Sequence, residues 1–524
     1  MGIYVNPRPN NFLSDLQSEI YIDKSRIIEV TNKFIDTNNK FICVSRPRRF
    51  GKTMLMNLVS AYYTRGADSR PQFERMKIST ADNWDKNLNK LNVIVLDIND
   101  EYCNRPVKNR MFEDVTKEIK KEMIKQYPNI DFEGIDTLAL LIKKVFDETN
   151  IPFVLLFDEY DALFREKVSE DLIAQYLQFL NGLFKSNSVR PAIALAYLTG
   201  ILPIFRDRVQ SKLNNFKEYT MILPKDFDQY IGFTEDEVKV LCEQNDMDFA
   251  EAKRWYDGYV LNDKEIFNSN SLVQAIENHR FASYWSKTGS YEAISDKIEM
   301  NFDGIQERVK HLLAGESIDI DVDGYTNSPV SFKSAEDVFT FLIHLGYLCY
   351  DPDTQTCRIP NMEIRQEWIY AIRPNSDYAE TNKLIEASRK LLEKTIACDE
   401  EFVANSLNKS HFLATSDKTY NNEFGLQAAI MFAYMYAMND YYIFKEMQGG
   451  KGYADLVLVP AKIKSPAIVI ELKYEHSPDY ALKQIKERQY FEGLNRYHGE
   501  LLFVGINYTE DKTHKVKIEH FSKK

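Results

Sequence analysis

The chain has 524 residues, 44% of them apolar and 27% charged, and a formal net charge of −12 from 66 Lys and Arg against 78 Asp and Glu. That length is too great for one hydrophobic core, so about three domains are expected, and the composition excludes a disordered chain. An acidic whole also excludes a uniformly basic nucleic-acid binder, although a local basic groove stays compatible with it.

The six cysteines, Cys43, Cys103, Cys242, Cys349, Cys357 and Cys398, form no close Cys-x-x-Cys pair. Zinc and a disulfide framework are therefore not expected, and a reducing compartment fits. Met1-Gly2-Ile3-Tyr4-Val5-Asn6 lacks a basic-then-apolar leader and the Ser or Thr of a myristoylation signal. No apolar run approaches the ~18 residues that cross a bilayer. The expected location is the cytoplasm, with no membrane partner.

In chain order, the first informative stretch is Phe41-Ile42-Cys43-Val44 followed by Arg46-Pro47-Arg48-Arg49-Phe50-Gly51-Lys52-Thr53 and a helix-compatible run at 54–59. Strand, basic loop, Gly-Lys-Thr and helix is a layout that holds nucleotide phosphates. Glycine lets the backbone pass close, and the first amides of the helix point at negative charge. Lys52 would reach the β/γ-phosphates and Thr53 would ligate Mg²⁺. Arg46, Arg49, Phe50 and Gly51 complete the expected nucleotide-binding loop. The full pattern G-x-x-x-x-G-K-[ST] has glycine where this chain has Arg46. The alternative is a basic surface turn that caps a helix.

Residues 93–98 read as a buried strand, 153–157 and 192–198 are continuous apolar runs, and 112–126 and 137–149 have helical spacing. Continuous runs suit strands covered on both faces, hence a largely parallel sheet. The run at 153–157 ends in Asp158-Glu159. Asp158 would hold Mg²⁺, directly or through water, and Glu159 would orient and polarise the attacking water. Thr199, at the end of the next strand, is placed to report on the γ-phosphate. Arg206 and Arg208 are arginine-finger candidates, with surface positions the plainer alternative.

Residues 226–290 look mainly helical, with Thr234 and Glu237 spaced as a capping box. In 291–410, a helix at 335–344 precedes a hairpin around Asp351-Pro352-Asp353. Helix then hairpin resembles a winged helix; an ordinary connecting subdomain is the simpler reading.

From 411 onward the expected order is helix (423–438), three strands (441–446, 454–459, 467–473), helix (480–494) and a last strand (501–506). Alternate strand residues share a face, so Glu471 and Lys473 project together and Ile470 and Leu472 oppositely. A hairpin would bring Asp455 across to them. Asp455 and Glu471 supply hard oxygen ligands for Mg²⁺, and Lys473 would stabilise developing charge. Glu423, Glu446 and Gln484 are further candidates. From residue 440 the chain carries 14 Lys and Arg against 12 Asp and Glu, less acidic than the whole.

These motifs carry a resemblance. Tyr21-Ile22-Asp23-Lys24-Ser25, the loop from Arg46 to Thr53, Phe157-Asp158-Glu159-Tyr160-Asp161, Leu198-Thr199-Gly200-Ile201, Ser211-Lys212-Leu213-Asn214-Asn215-Phe216 and Trp255-Tyr256-Asp257-Gly258-Tyr259 resemble the bacterial AAA-ATPase-like family that sits upstream of a nuclease-type domain. That family resembles this chain in lacking the first glycine of the loop. Asp455, Glu471-Leu472-Lys473 and the run from Ala481 to Tyr490 resemble the PD-(D/E)XK nuclease superfamily.

The resemblance implies an α/β architecture. An AAA-like P-loop NTPase domain at 1–225 carries a helical lid at 226–290. A mixed, winged-helix-like connector follows at 291–410, and a restriction-endonuclease-like domain at 411–524. It implies ATP and Mg²⁺ as cofactors and an ATPase coupled to a nuclease. Glu159, Asp455, Glu471 and Lys473 would be catalytic, DNA or RNA is the candidate partner, and oligomerisation is open. A nucleotide-switched interaction protein, whose nuclease-like domain only binds, is the alternative. An oligomeric remodelling motor is a third.

Overall fold

The computed structural model describes residues 1–521 apart from 167, 205–212, 286–290, 301, 303, 326–331, 415–422, 463–464, 496 and 510–512. The chain divides into two compact units, one made of residues 1–289 with 319–364, the other of 290–318 with 365–524.

The first unit is built on a parallel sheet. Its strands β1 (Phe41–Ser45), β2 (Asn92–Asp97), β3 (Phe153–Asp158), β4 (Ile193–Gly200) and β5 (Lys217–Tyr219) lie in the order β2-β3-β4-β1-β5. All four pairings are parallel. Every residue of β1, β3 and β4 is buried, which is why these strands read as unbroken apolar runs. Leu155 and Phe157 of β3 pack with Met111, Val115, Ile119, Leu141 and Leu180 from the covering helices Met111–Gln126, Leu138–Thr149 and Glu170–Phe184. Each such side chain contributes about 1.5–3 kcal/mol on burial, so an aspartate at Leu155 would break the sheet. The order sets β4 between β1 and β3. The loop that follows β1 and the acidic end of β3 therefore open at the same C-terminal edge, where ligands of such sheets bind.

Helix α1 (Lys52–Tyr63) follows β1 across that loop. The region expected to be mainly helical holds α2 (Glu235–Gln244), α3 (Phe249–Tyr256) and α4 (Ser269–Glu277), and also a small antiparallel sheet. Its strands β6 (Phe233–Thr234), β7 (Tyr259–Leu261) and β8 (Lys264–Phe267) run in the order β6-β8-β7. Strands of two to four residues carry too little periodicity to be read. The Asn262-Asp263 turn between β7 and β8, with Asn262 at φ 53°, was the available signal. The capping box is formed: the Glu237 carboxylate accepts the Thr234 amide at 2.9 Å. It also accepts Lys24 Nζ at 2.6 Å, which ties the segment before the sheet to α2. Helix α5 (Ala335–Leu345) precedes an antiparallel hairpin of Cys349–Asp351 and Thr356–Arg358, as the turn residues suggest.

The second unit packs α6 (Ala379–Ile396), α7 (Glu400–Ala414) and α8 (Glu423–Ala433) on one face of a mixed sheet. That sheet is β9 (Tyr441–Gly449), β10 (Gly452–Pro460), β11 (Ala467–Tyr474), β12 (Leu501–Tyr508) and β13 (His514–Phe521), in chain order. Only β11 and β12 pair in parallel, because α9 (Pro478–Arg488) crosses over between them. Ile468, Ile470 and Leu472 enter the core shared with Leu426 and Ile430 of α8. Val469 faces the other way, onto Leu482 and Ile485 of α9. No helix among the described residues is long and apolar enough to cross a membrane.

Candidate functional site

The loop between β1 and α1 wraps one wall of a cavity of about 760 Å³ whose other walls include Tyr21, Ile22 and Lys24, Tyr230 and Phe233, and Asn270 and Val273 of α4. Gly51 caps α1 at φ 87°, a left-handed conformation that costs a residue with a Cβ about 1–2 kcal/mol. Arg49 is also left-handed, at φ 70°. Lys52, Thr53, Arg49, Phe50 and Gly51 all line the cavity. Lys52 folds back, donating to the carbonyls of Arg46 at 3.1 Å and Pro47 at 2.9 Å, and burial pulls its pKa down. Thr53 Oγ1 donates to Asp158 Oδ2 at 2.7 Å. Burial pushes the Asp158 carboxyl up to about 6, against the opposing pull of Thr53 and Lys52.

Arg46 does not face the cavity. It is fully buried, with Nη1 donating to the carbonyls of Ser45 and Tyr219 and Nη2 to that of Phe227, and burial lowers its pKa to about 10. The side chain that replaces a glycine is thus a tie across the sheet edge, not a phosphate ligand. Phe50 is likewise a packing residue, edge-on to Tyr259 at 5.2 Å, with its carbonyl accepting the Gly232 amide. Arg48, not among the expected nucleotide ligands, is exposed and lines the cavity. Side-chain direction in a loop has no period to be read from.

Glu159 follows Asp158 in a left-handed conformation at φ 47° and lines the cavity. Its carboxylate is ion-paired with Arg165, whose Nε lies 3.0 Å from Asp161. Asp161, fully buried, accepts the amides of Ile201 at 3.2 Å and Leu202 at 2.9 Å. A Cβ on Gly200 would stand 2.4 Å from the Asp161 carboxylate, so glycine is required where the two loops meet. Thr199 is fully buried beside them, and its Oγ1 has no partner among the described residues. It does not line the cavity. Arg206 and Arg208 lie outside the described residues.

In the second unit, Leu456 pairs with Ile470, and one further step of that antiparallel register sets Asp455 opposite Glu471. Asp455 Oδ2 accepts the Leu472 amide at 2.7 Å. Glu471 is buried; its Oε1 accepts Lys473 Nζ at 2.8 Å and Gln484 Nε2 of α9 at 2.5 Å. Gln484 Nε2 also reaches the Tyr490 hydroxyl at 2.9 Å. Glu471 Oε2 is buried with no partner among the described residues. Burial, then the nearby Asp455, pushes the Glu471 carboxyl up to about 7. Asp455, Glu471, Lys473 and Gln484 therefore converge, and Tyr490 joins them unforeseen, because the helix expected over 480–494 ends at Arg488, where Gln489 turns left-handed at φ 55° and re-aims the chain. Glu446 is an exposed residue in β9, and Glu423 lies at the start of α8.

An orphaned carboxylate oxygen beside a second carboxylate is a donor set that suits Mg²⁺, which keeps several of its waters. Among the described residues no group of three or more His, Cys, Asp or Glu converges for a metal, so the protein would offer these two carboxylates.

Both domains match known families. Residues 14–210 match a model described as predicted AAA-ATPase, and residues 425–518 a model of the PD-(D/E)XK nuclease superfamily. The chain thus carries an AAA-ATPase-like domain and, C-terminal to it, a PD-(D/E)XK superfamily domain. It is 22% identical over 258 residues to a protein of Azotobacter chroococcum mcd 1 described as "Uncharacterized protein in vnfD 5'region", a match covering 47% of each chain. The chain thus spans about half the length of the curated relative it matches. Among solved structures it is similar to the Aeropyrum pernix ORC2 protein in its ADPNP–ADP complexes, at 12% identity and a TM-score of 0.31 over 70% of this chain and 98% of that one. It is also similar to the Aeropyrum pernix ORC1 protein in complex with DNA, at 11% identity and a TM-score of 0.26 over 73% and 100%. Scores this low bear on neither site.

Proposed function

We propose that this chain is an ATP-binding P-loop ATPase coupled to a Mg²⁺-dependent nuclease that cleaves nucleic-acid phosphodiesters. The observation that carries the nuclease half is Glu471 Oε2, buried beside Asp455 and Lys473 and without a partner among the described residues. In the first unit, Lys52 would turn from the loop carbonyls to the β/γ-phosphates and Thr53 would present Oγ1 beside Asp158. Glu159 would accept a proton from the attacking water once Arg165 releases it. Arg48 would pair with phosphate oxygens.

In the second unit, Asp455 and Glu471 would hold the cation and Lys473 would neutralise charge on the scissile phosphate, with Gln484 fixing Glu471. Bound Mg²⁺ would supply charge neutralisation and a more acidic water. Tyr453 is 59% exposed, two residues before Asp455, a position from which a base would stack.

Lys52→Ala should abolish ATP binding, read with a fluorescent ATP analogue. Glu471→Gln should abolish cleavage while ATP turnover survives. If the chain with ATP and Mg²⁺ or Mn²⁺ leaves every DNA and RNA form intact, the nuclease half fails. The net charge of −12 favours the second reading, a nucleotide-switched interaction protein. Mn²⁺ binding lost in Asp455→Ala supports the enzyme; no Mn²⁺ binding by the unmutated chain supports the binder.

A further inference from the structure

The loop before α1 is tied to the two stretches of chain that lead out of the first unit. Arg49 Nη1 donates to the carbonyl of Tyr284 and, at 3.0 Å, to that of Trp285. The amides of the same two residues donate to one oxygen of Glu363, at 2.7 and 2.9 Å. Tyr284 and Trp285 stand just before the chain first leaves the unit, after residue 289, and Glu363 just before it last leaves, after residue 364. Glu363 is fully buried. The Arg49 carbonyl is itself held by the Asn270 amide at 3.3 Å and by Ser269 Oγ at 3.1 Å. The loop backbone is therefore anchored on α4 while the Arg49 side chain reaches the exit.

We infer that Arg49 reports phosphate occupancy of the loop to this exit stem of Tyr284, Trp285 and Glu363; the inference rests on the nucleotide reading above. The mechanism is a competition. Backbone carbonyls are neutral acceptors, whereas triphosphate oxygens are charged ones and form hydrogen bonds roughly twice as strong. Arg49 lines the same cavity as Lys52 and Thr53. Bound triphosphate draws the guanidinium off the two carbonyls; the stem loses that brace, and its amide bonds to Glu363 open more often. Linkage makes the effect reciprocal: whatever loosens the stem first raises the affinity of the loop for nucleotide.

That reciprocity separates a relay from a merely structural carboxylate. Neutralising a structural Glu363 would weaken nucleotide binding by disturbing the fold; neutralising a relay strengthens it. With the full chain, Mg²⁺ and a fluorescent ATP analogue, Glu363→Gln should bind about fivefold tighter than the unmutated protein. In an Arg49→Ala background the same substitution should change affinity by less than about twofold. An effect that is absent, reversed in sign or undiminished without Arg49 overturns the relay. Should Glu363→Gln not fold, amide exchange of the unmutated chain decides. The analogue should speed exchange at Tyr284 and Trp285 by about fivefold or more, and unchanged rates overturn the inference. If the unmutated chain binds no analogue at all, the nucleotide reading falls and takes the relay with it.

Discussion

Arg46, Arg48 and Arg49 share one loop and differ in what their side chains meet. Arg46 spends its guanidinium on three backbone carbonyls in the interior. Removing it leaves those acceptors buried, so Arg46→Ala should destabilise the first unit by about 2–4 kcal/mol in denaturant unfolding. Arg48→Ala should leave stability within about 0.5 kcal/mol and weaken nucleotide binding roughly tenfold.

The Glu471 carboxyl, raised from 4.5 to about 7, sets a pH dependence. Between those values the folded chain keeps a proton that the unfolded chain has released. This group's contribution to stability of the metal-free unit is therefore present at low pH and lost as pH rises toward 7. A cation must displace that proton, so Mn²⁺ affinity should drop by up to about tenfold per unit below pH 7 and level off above it. Calorimetric titrations at pH 6 and pH 8 would detect a flat profile, which would argue against Glu471 as a ligand.

At the scale of elements, most of the sheet in each unit could be read from the chain. β1, β3 and β4 are apolar throughout because helices cover both faces, and β11 announces its two faces by the parity of Ile470, Glu471, Leu472 and Lys473. β13 was missed although Val516 and Ile518 alternate with Lys517 and Glu519. Its five ionic or imidazole side chains hide an edge strand whose inner face alone is buried. The small sheet of β6, β7 and β8 was illegible for want of length. Sites were legible where a motif fixes spacing, as at Gly51-Lys52-Thr53 and Asp158-Glu159. They were not where a partner arrives from a distant segment, as Arg165 does for Glu159 and the exit stem for Arg49. Glu237 joins two elements, capping α2 and pairing with Lys24. Glu237→Ala should cost about 1–2 kcal/mol and speed amide exchange at the start of α2, leaving β1 and β3 unaffected.

For the whole molecule, the division into two units with separate cores predicts separate ligand-linked unfolding. A ligand at a hundred times its Kd stabilises what binds it by about 2.7 kcal/mol. Scanning calorimetry with an ATP analogue and Mg²⁺ should raise the transition assigned to the first unit in the unmutated chain and not in Lys52→Ala. Mn²⁺ alone should raise the second in the unmutated chain and not in Asp455→Ala. One transition that shifts as a whole with either ligand would mean that the units unfold together.

Arg46 bears on any attempt to improve this loop by comparison. An engineer aligning it with the glycine-first pattern would restore glycine at position 46, expecting a more supple cradle. The swap would delete a brace between the edge of the sheet and the segment beyond it, and the cradle would lose its foundation before it gained any freedom. In this chain rigidity at the first position of the loop comes from a long cation turned inward, and suppleness is reserved for the turn at Gly51.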